Sequence, residues 1–181
     1  MSTLLFPDNT VLVNFGHLNR LDLLERIANG NGRWCATVAT ECAQSARLPG
    51  LGALRGAAAI FGQPLMPESG VEYLDVLMFR RELARPGDGR HRHLGEAETL
   101  AIMKRRAIRG VFVTDDRDAT RLARRHGCPT ATTWDLLRLA RRTALTDTAT
   151  LRGYVRTLET LGRGRPPGAH DRLTLEAWLV S

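Results

Sequence analysis

Lysine is nearly missing from this 181-residue chain. Of 26 basic side chains only Lys104 is a lysine, a bias we read as codon usage in a GC-rich genome and not as recognition chemistry. Cysteine is scarce too. Cys35, Cys42 and Cys128 are an odd number with no C-x-x-C spacing, which argues against a disulfide framework and a zinc knuckle and for small buried side chains. The histidines His17, His91, His93, His126 and His170 are scattered, so no soft-metal cluster is visible. No apolar run nears the roughly 18 residues that span a bilayer. The opening residues carry no basic-then-apolar leader and meet Asp8 early. These absences lead us to expect a reduced, cytoplasmic protein without a membrane anchor.

What remains is ordinary globular material. Hydrophobic residues make up 43% and charged residues 25%, which excludes a disordered chain and suffices for one domain with a real core. The net charge of +7 is uneven. Residues 1–90 hold nine basic and nine acidic side chains, whereas residues 91–181 hold 17 and 10. A one-sided excess of this kind points to a polyanionic partner.

Apolar runs alternate with helical periodicity. Strands are expected at 3–6, 33–38, 108–114 and 130–132. Helices are expected from residue 9, then over 40–48, 53–61, 68–83, 95–106, 116–126, 134–142 and 147–161, with a loop at 162–168 before a short tail. This order predicts an α/β fold with a central, mostly parallel sheet flanked by helices.

The position of the acids is the informative feature. Asp8 directly follows the first strand, Glu41 follows the expected second strand, and Asp115 and Asp116 follow the third. In an open parallel sheet these ends share one edge, where functional sites collect. Glu96 or Glu98, in the helix before the third strand, can add a further acid. Each has a bland use: Asp8 and the Asp115-Asp116 pair as helix caps, Glu41 on a solvated turn, and Glu96, Glu98 and Asp118 against helix dipoles. Together they are costly unless a cation neutralises them. A hard divalent ion, Mg²⁺ or Mn²⁺, suits such a set and suits phosphodiester hydrolysis. The basic half would then hold a nucleic-acid backbone.

Three stretches resemble the PIN-domain family, the fold of VapC-like toxin ribonucleases. They are LLFPDNTVLVNF (4–15), Glu41 in VATECAQSA, and HLGEAETLAIMKRRAIRGVFVTDDRDATRLARRHG (93–127), the last similar to a subgroup with L-G-E-x-E and D-D motifs. The following CPTATTWDLLRLA is similar to the segment that closes that fold. The resemblance implies a single PIN-like nuclease domain over 1–145, with 146–181 a helical extension packed on the same domain. It implies a metal-dependent endoribonuclease, the toxin of a type II toxin–antitoxin pair, with an RNA substrate, an antitoxin partner and a homodimer. It carries the catalytic roles to Asp8, Glu41, Glu98 and Asp116, and metal binding to Asp8, Glu98 and Asp116 with Asp115 in support. Glu98 is preferred over Glu96 because it lies 18 residues before Asp116. Glu96 and Glu98 face about 200° apart on a regular helix, so both cannot easily enter one site.

Other readings stay open. Residues 120–142 can be read as a helix-turn-helix of a DNA-binding regulator, although Pro129 and the following Thr-Ala-Thr suit a strand better. A receiver domain would need its acidic pair after the first strand. A catalytically silent PIN-like interaction module shares every feature except activity, and leucine-rich segments at 21–28 and 71–83 offer surfaces for core or partner.

Overall fold

The short apolar runs at 4–7 and 110–113 are distant in sequence but lie side by side. A computed structural model describes residues 3–89 and 91–181. In it β1 (Leu4–Pro7) pairs in parallel with β2 (Gly110–Val113), with Leu5 opposite Val111 and Phe6 opposite Phe112. β3 (Thr130–Ala131) then pairs in parallel with β2. Among the described residues this is a three-stranded parallel sheet in the order β1-β2-β3, consistent with the expected α/β class.

Side chains alternate across a strand, and the core divides accordingly. Phe6 and Phe112 point to one face, against α5 (Gly70–Leu83), α6 (Leu94–Arg105) and α7 (Arg117–Arg125), where Phe79, Leu100, Met103 and Leu122 are buried. Leu5, Val111 and Val113 point to the other. There they meet α1 (Asn9–His17), α2 (Leu21–Ala28), α3 (Ala36–Ser45), α4 (Ala57–Phe61) and α8 (Thr133–Arg142).

The expected strand over 33–38 does not form. That stretch contributes one isolated bridge, Cys35 with Leu65, next to a second between Leu5 and Gly32, and α3 starts at Ala36. The N-cap residue of α3, Cys35, makes no side-chain cap bond. Instead the Glu98 carboxylate accepts from the Thr37 N–H at 2.9 Å, from 61 residues away. A cap supplied by another helix leaves no local signature, so the apolar run reads equally well as strand.

The last 36 residues are helical: α9 (Thr148–Thr160) and α10 (Arg172–Val180), the second where only a short tail was expected. Leu151, Val155 and Leu158 of α9 join the same core cluster as α1 and α8. Trp178 of α10 meets Trp134 of α8 edge-to-face, centroids 6.3 Å apart. All three cysteines are buried and free. Among the described residues no helix is long and apolar enough to cross a membrane. The two leucine-rich segments differ. Leu21, Leu23 and Leu24 are buried, whereas Val71, Tyr73, Leu74, Leu77 and Met78 form an exposed stripe on α5.

Because α9 shares the main core, Leu158→Ala should cost about 2–4 kcal/mol. Urea unfolding followed by far-UV circular dichroism should remain one transition. A separate early transition in that variant would show that the C-terminal helices are not part of the same cooperative unit.

Candidate metal centre

The carboxyl ends of β1 and β2 place two acids by the same local device. Asp8 follows Pro7, and its N–H donates to Val113 O at 2.8 Å, tying it to the neighbouring strand. Its carboxylate accepts from the N–H groups of Asn9 and Thr10 at the start of α1. Asp116 caps α7 likewise, Oδ1 accepting from Asp118 N–H at 2.7 Å and Ala119 N–H at 2.8 Å. The capping roles are therefore real, and each fixes a carboxylate at the rim with fewer of its lone pairs occupied than the carboxylate offers.

The remaining acids come from α3 and α6. Glu41 lies on the second turn of α3, close against α6. A Cβ on Gly95 would stand 3.2 Å from Glu41 Oε2 and 3.0 Å from Val38 Cγ2. The glycine of the L-G-E motif thus leaves room for this carboxylate. Glu96 is the common neighbour of the group. It is the largest charged influence on both Asp8 and Glu41, and one of its oxygens lies with an oxygen of Asp116 and a nitrogen of His93, all within 4.8 Å of one another.

The electrostatic consequence is large. Asp8 is 3% exposed, and burial, followed by Glu96, pushes its carboxyl up to about 7 in spite of the two cap bonds; Glu41 also raises it. Burial, then Glu96 and Glu98, pushes Glu41 up to about 7. Here desolvation and like charge outweigh the helix N-terminus.

Three expected acids are employed differently. Glu98 is buried, and one oxygen caps α3. It adds negative field at Glu41, while Glu96, two residues earlier, acts on both Asp8 and Glu41. Asp115 is taken up by donors from α1 and α8. It accepts from Thr133 N–H at 2.8 Å, Thr133 Oγ1 at 2.6 Å and Asn14 Nδ2 at 2.8 Å, which makes it a tie between α1 and α8. Asp118 is paired with Arg85 and Arg121, which hold its carboxyl below the usual range.

His93, read from sequence as incidental, was missed. Its side chain is 8% exposed at the start of α6, with Nδ1 3.5 Å from Glu96 Oε1 and Nε2 3.5 Å from Asp88 Oδ2. Among the described residues Nδ1 has no hydrogen-bond partner, and neither has the buried Oδ1 of Asn9. The adjacency of His93 to the L-G-E motif was the only signal available. An unpaired buried nitrogen beside crowded carboxylates fits a cation. An ion with ligands at about 2.1 Å would draw the three groups slightly closer than 4.8 Å.

Beside Asp115 lies a cleft of ≈ 830 Å³ lined by Arg117, Arg121, Arg124, Arg125, Arg163 and Arg165. Compared with protein-family models, with curated proteins and with solved structures, the chain matches none.

The two raised carboxyls make stability fall with pH. The unfolded chain loses these protons near pH 4, while the folded chain keeps them to about 7. Their stabilising contribution is complete below pH 4 and is lost as pH rises through 7. Scanning calorimetry of EDTA-treated protein should therefore show a lower Tm at pH 8 than at pH 5.5. Asp8→Asn keeps the cap and should raise Tm at pH 8, by roughly 2–4 °C per kcal/mol recovered in a chain of this size. Asp115→Ala should act oppositely, lowering stability by about 2–4 kcal/mol at every pH by stranding Asn14 and Thr133. A metal-free Asp8→Asn protein less stable than wild type at pH 8 would contradict the crowding.

Proposed function

We propose that this chain is a divalent-metal-dependent endoribonuclease of PIN-like design, acting as the toxin of a toxin–antitoxin pair. The reading is carried by one observation: Asp8, Glu41 and Glu96 converge where strands end, and two of them are destabilised as anions in the absence of a cation. Structural ion-pair networks compensate such groups with arginine; the influences on Asp8 and Glu41 are acidic neighbours and burial, with only cap bonds opposing them.

Asp8, Glu41, Glu96 and Asp116 would hold the ion. A bound Mg²⁺ or Mn²⁺ supplies a Lewis acid and water of lowered pKa. The caps at Asp8 and Asp116 keep the two carboxylates oriented, so little rearrangement is needed when substrate arrives. Arg117, Arg121 and Arg124 in the cleft beside Asp115 would grip backbone phosphates. Hydrolysis in the family manner leaves a 5′-phosphate and a 3′-hydroxyl. The homodimer and antitoxin belong to the same proposal, as does a cytoplasmic setting.

Residues 120–142 run helix, strand, helix, with β3 paired into the sheet, which supports the nuclease reading over a helix-turn-helix regulator.

Purified protein should cleave single-stranded RNA with Mg²⁺ or Mn²⁺ and stop with EDTA. Asp8→Asn should lower the rate on the order of 10²-fold or more. Arg121→Ala and Arg124→Ala should weaken RNA binding and each reduce the slope of log K against log salt by about 0.7. Folded protein with no EDTA-sensitive cleavage of any RNA would favour a silent interaction module. Salt-sensitive duplex DNA binding without cleavage would favour a regulator.

A further inference from the structure

We infer that His93 is a ligand of this centre, held by Asp88, and that the site therefore takes a first-row transition-metal ion in preference to Mg²⁺. The inference rests on the metal-dependent reading above and extends it to which ion is bound.

The geometry is that of a carboxylate–histidine–metal relay. His93 Nε2 faces Asp88 Oδ2 at 3.5 Å. Nδ1, on the opposite side of the ring, lies 3.5 Å from Glu96 Oε1, so a proton held on Nε2 toward Asp88 would leave Nδ1 free to bind an ion. Nδ1 is buried with no hydrogen-bond partner among the described residues. With Glu96 and Asp116 it completes a set of three groups within 4.8 Å.

Asp88 is itself anchored. It accepts from the Arg85 N–H at 2.7 Å and pairs with Arg92 at 3.2 Å. Arg80 reaches from α5 to the carbonyls of Gly89 and Arg92. The loop between α5 and α6 is thus tied down on the side that carries the histidine, which is how a supporting shell fixes a ligand.

An all-carboxylate site suits Mg²⁺, a hard ion that keeps oxygen ligands and several waters. An imidazole nitrogen shifts preference along the series Mn²⁺ < Co²⁺ < Zn²⁺. A plain ion pair between a protonated His93 and Glu96 is the competing explanation, and it predicts no bond from nitrogen to metal.

The test uses the full-length protein without RNA, with Mn²⁺ as probe. Electron spin-echo envelope modulation of bound Mn²⁺ should show coupling to a directly bound nitrogen, altered by ¹⁵N-histidine labelling. Calorimetric titration should give tighter binding for Mn²⁺ and Co²⁺ than for Mg²⁺. His93→Gln should abolish the nitrogen coupling and weaken Mn²⁺ about 10–100-fold with little change for Mg²⁺, and Asp88→Asn should weaken Mn²⁺ by a smaller factor. Bound Mn²⁺ without nitrogen coupling, or equal Mn²⁺ affinity in folded His93→Gln, overturns the inference and leaves the metal-nuclease proposal standing. Failure of the wild type to bind any of these ions overturns both. If His93→Gln does not fold, the labelled wild-type spectrum decides alone.

Discussion

Asp8 is buried beside other carboxylates at the cost of its charge, and the rim of the sheet is organised around it. The backbone of Asp8 bonds to β2 and its side chain starts α1, so it cannot retreat into solvent without disturbing a strand pair and a helix cap. Glu41 and Glu96 are held just as firmly, one by the close approach of α3 to Gly95 and the other by the first turn of α6. Packing enforces proximity that charge opposes. Natural folds retain such frustration where it serves a function, and a bound divalent ion would convert this repulsion into attraction.

A second network carries the load that the acids cannot. Asn14, 1% exposed, donates to Asp115 and to Thr133 and accepts from Arg163 Nε at 2.6 Å. Arg163 also reaches the Thr10 carbonyl at 3.3 Å. One buried amide therefore joins α1, the end of β2, the start of α8 and the loop between α9 and α10. The C-terminal helices are coupled to the rim through this contact as well as through Leu151, Val155 and Leu158. Asp115 and Asp116 are adjacent yet divide the work: the first is saturated by donors and fastens elements together, the second keeps an oxygen facing the acids.

Much of this was legible in the residues. LLFP and GVFV announce strands, and an acid directly after a strand reports its own place at the rim. The alternation of strand and helix was enough for a parallel sheet with two covered faces. Four things were hidden for physical reasons. The stretch at 33–38 became a helix start because Glu98 caps it through space. The different surroundings of Glu96, beside Asp8 and Glu41, and Glu98, at the start of α3, follow from the rotation of α6 about its axis, which spacing to Asp116 does not determine. Asp115 and Asp116 look equivalent in sequence, and only the positions of Asn14 and Thr133 separate them. His93 belongs with these: a lone histidine acquires meaning only from Asp88 on one side and Glu96 on the other.

The charge distribution follows the same division of labour. The excess of seven positive charges lies wholly beyond residue 90, yet Glu96 and Asp116, two of the crowded acids, are in that segment. In the fold the arginines of α7 and of the 162–168 loop gather in a cleft beside Asp115, while the acids occupy the strand ends. Opposite charges so near one another would normally pair, and Asp118 does pair with Arg85 and Arg121. Asp8 and Glu41 do not; Asp8 is buried, Glu41 is half-buried, and both are hemmed by acids. A polyanion drawn to the arginines and a cation drawn to the acids would meet at the boundary between them, and that boundary runs along α7, whose first turn is capped by Asp116.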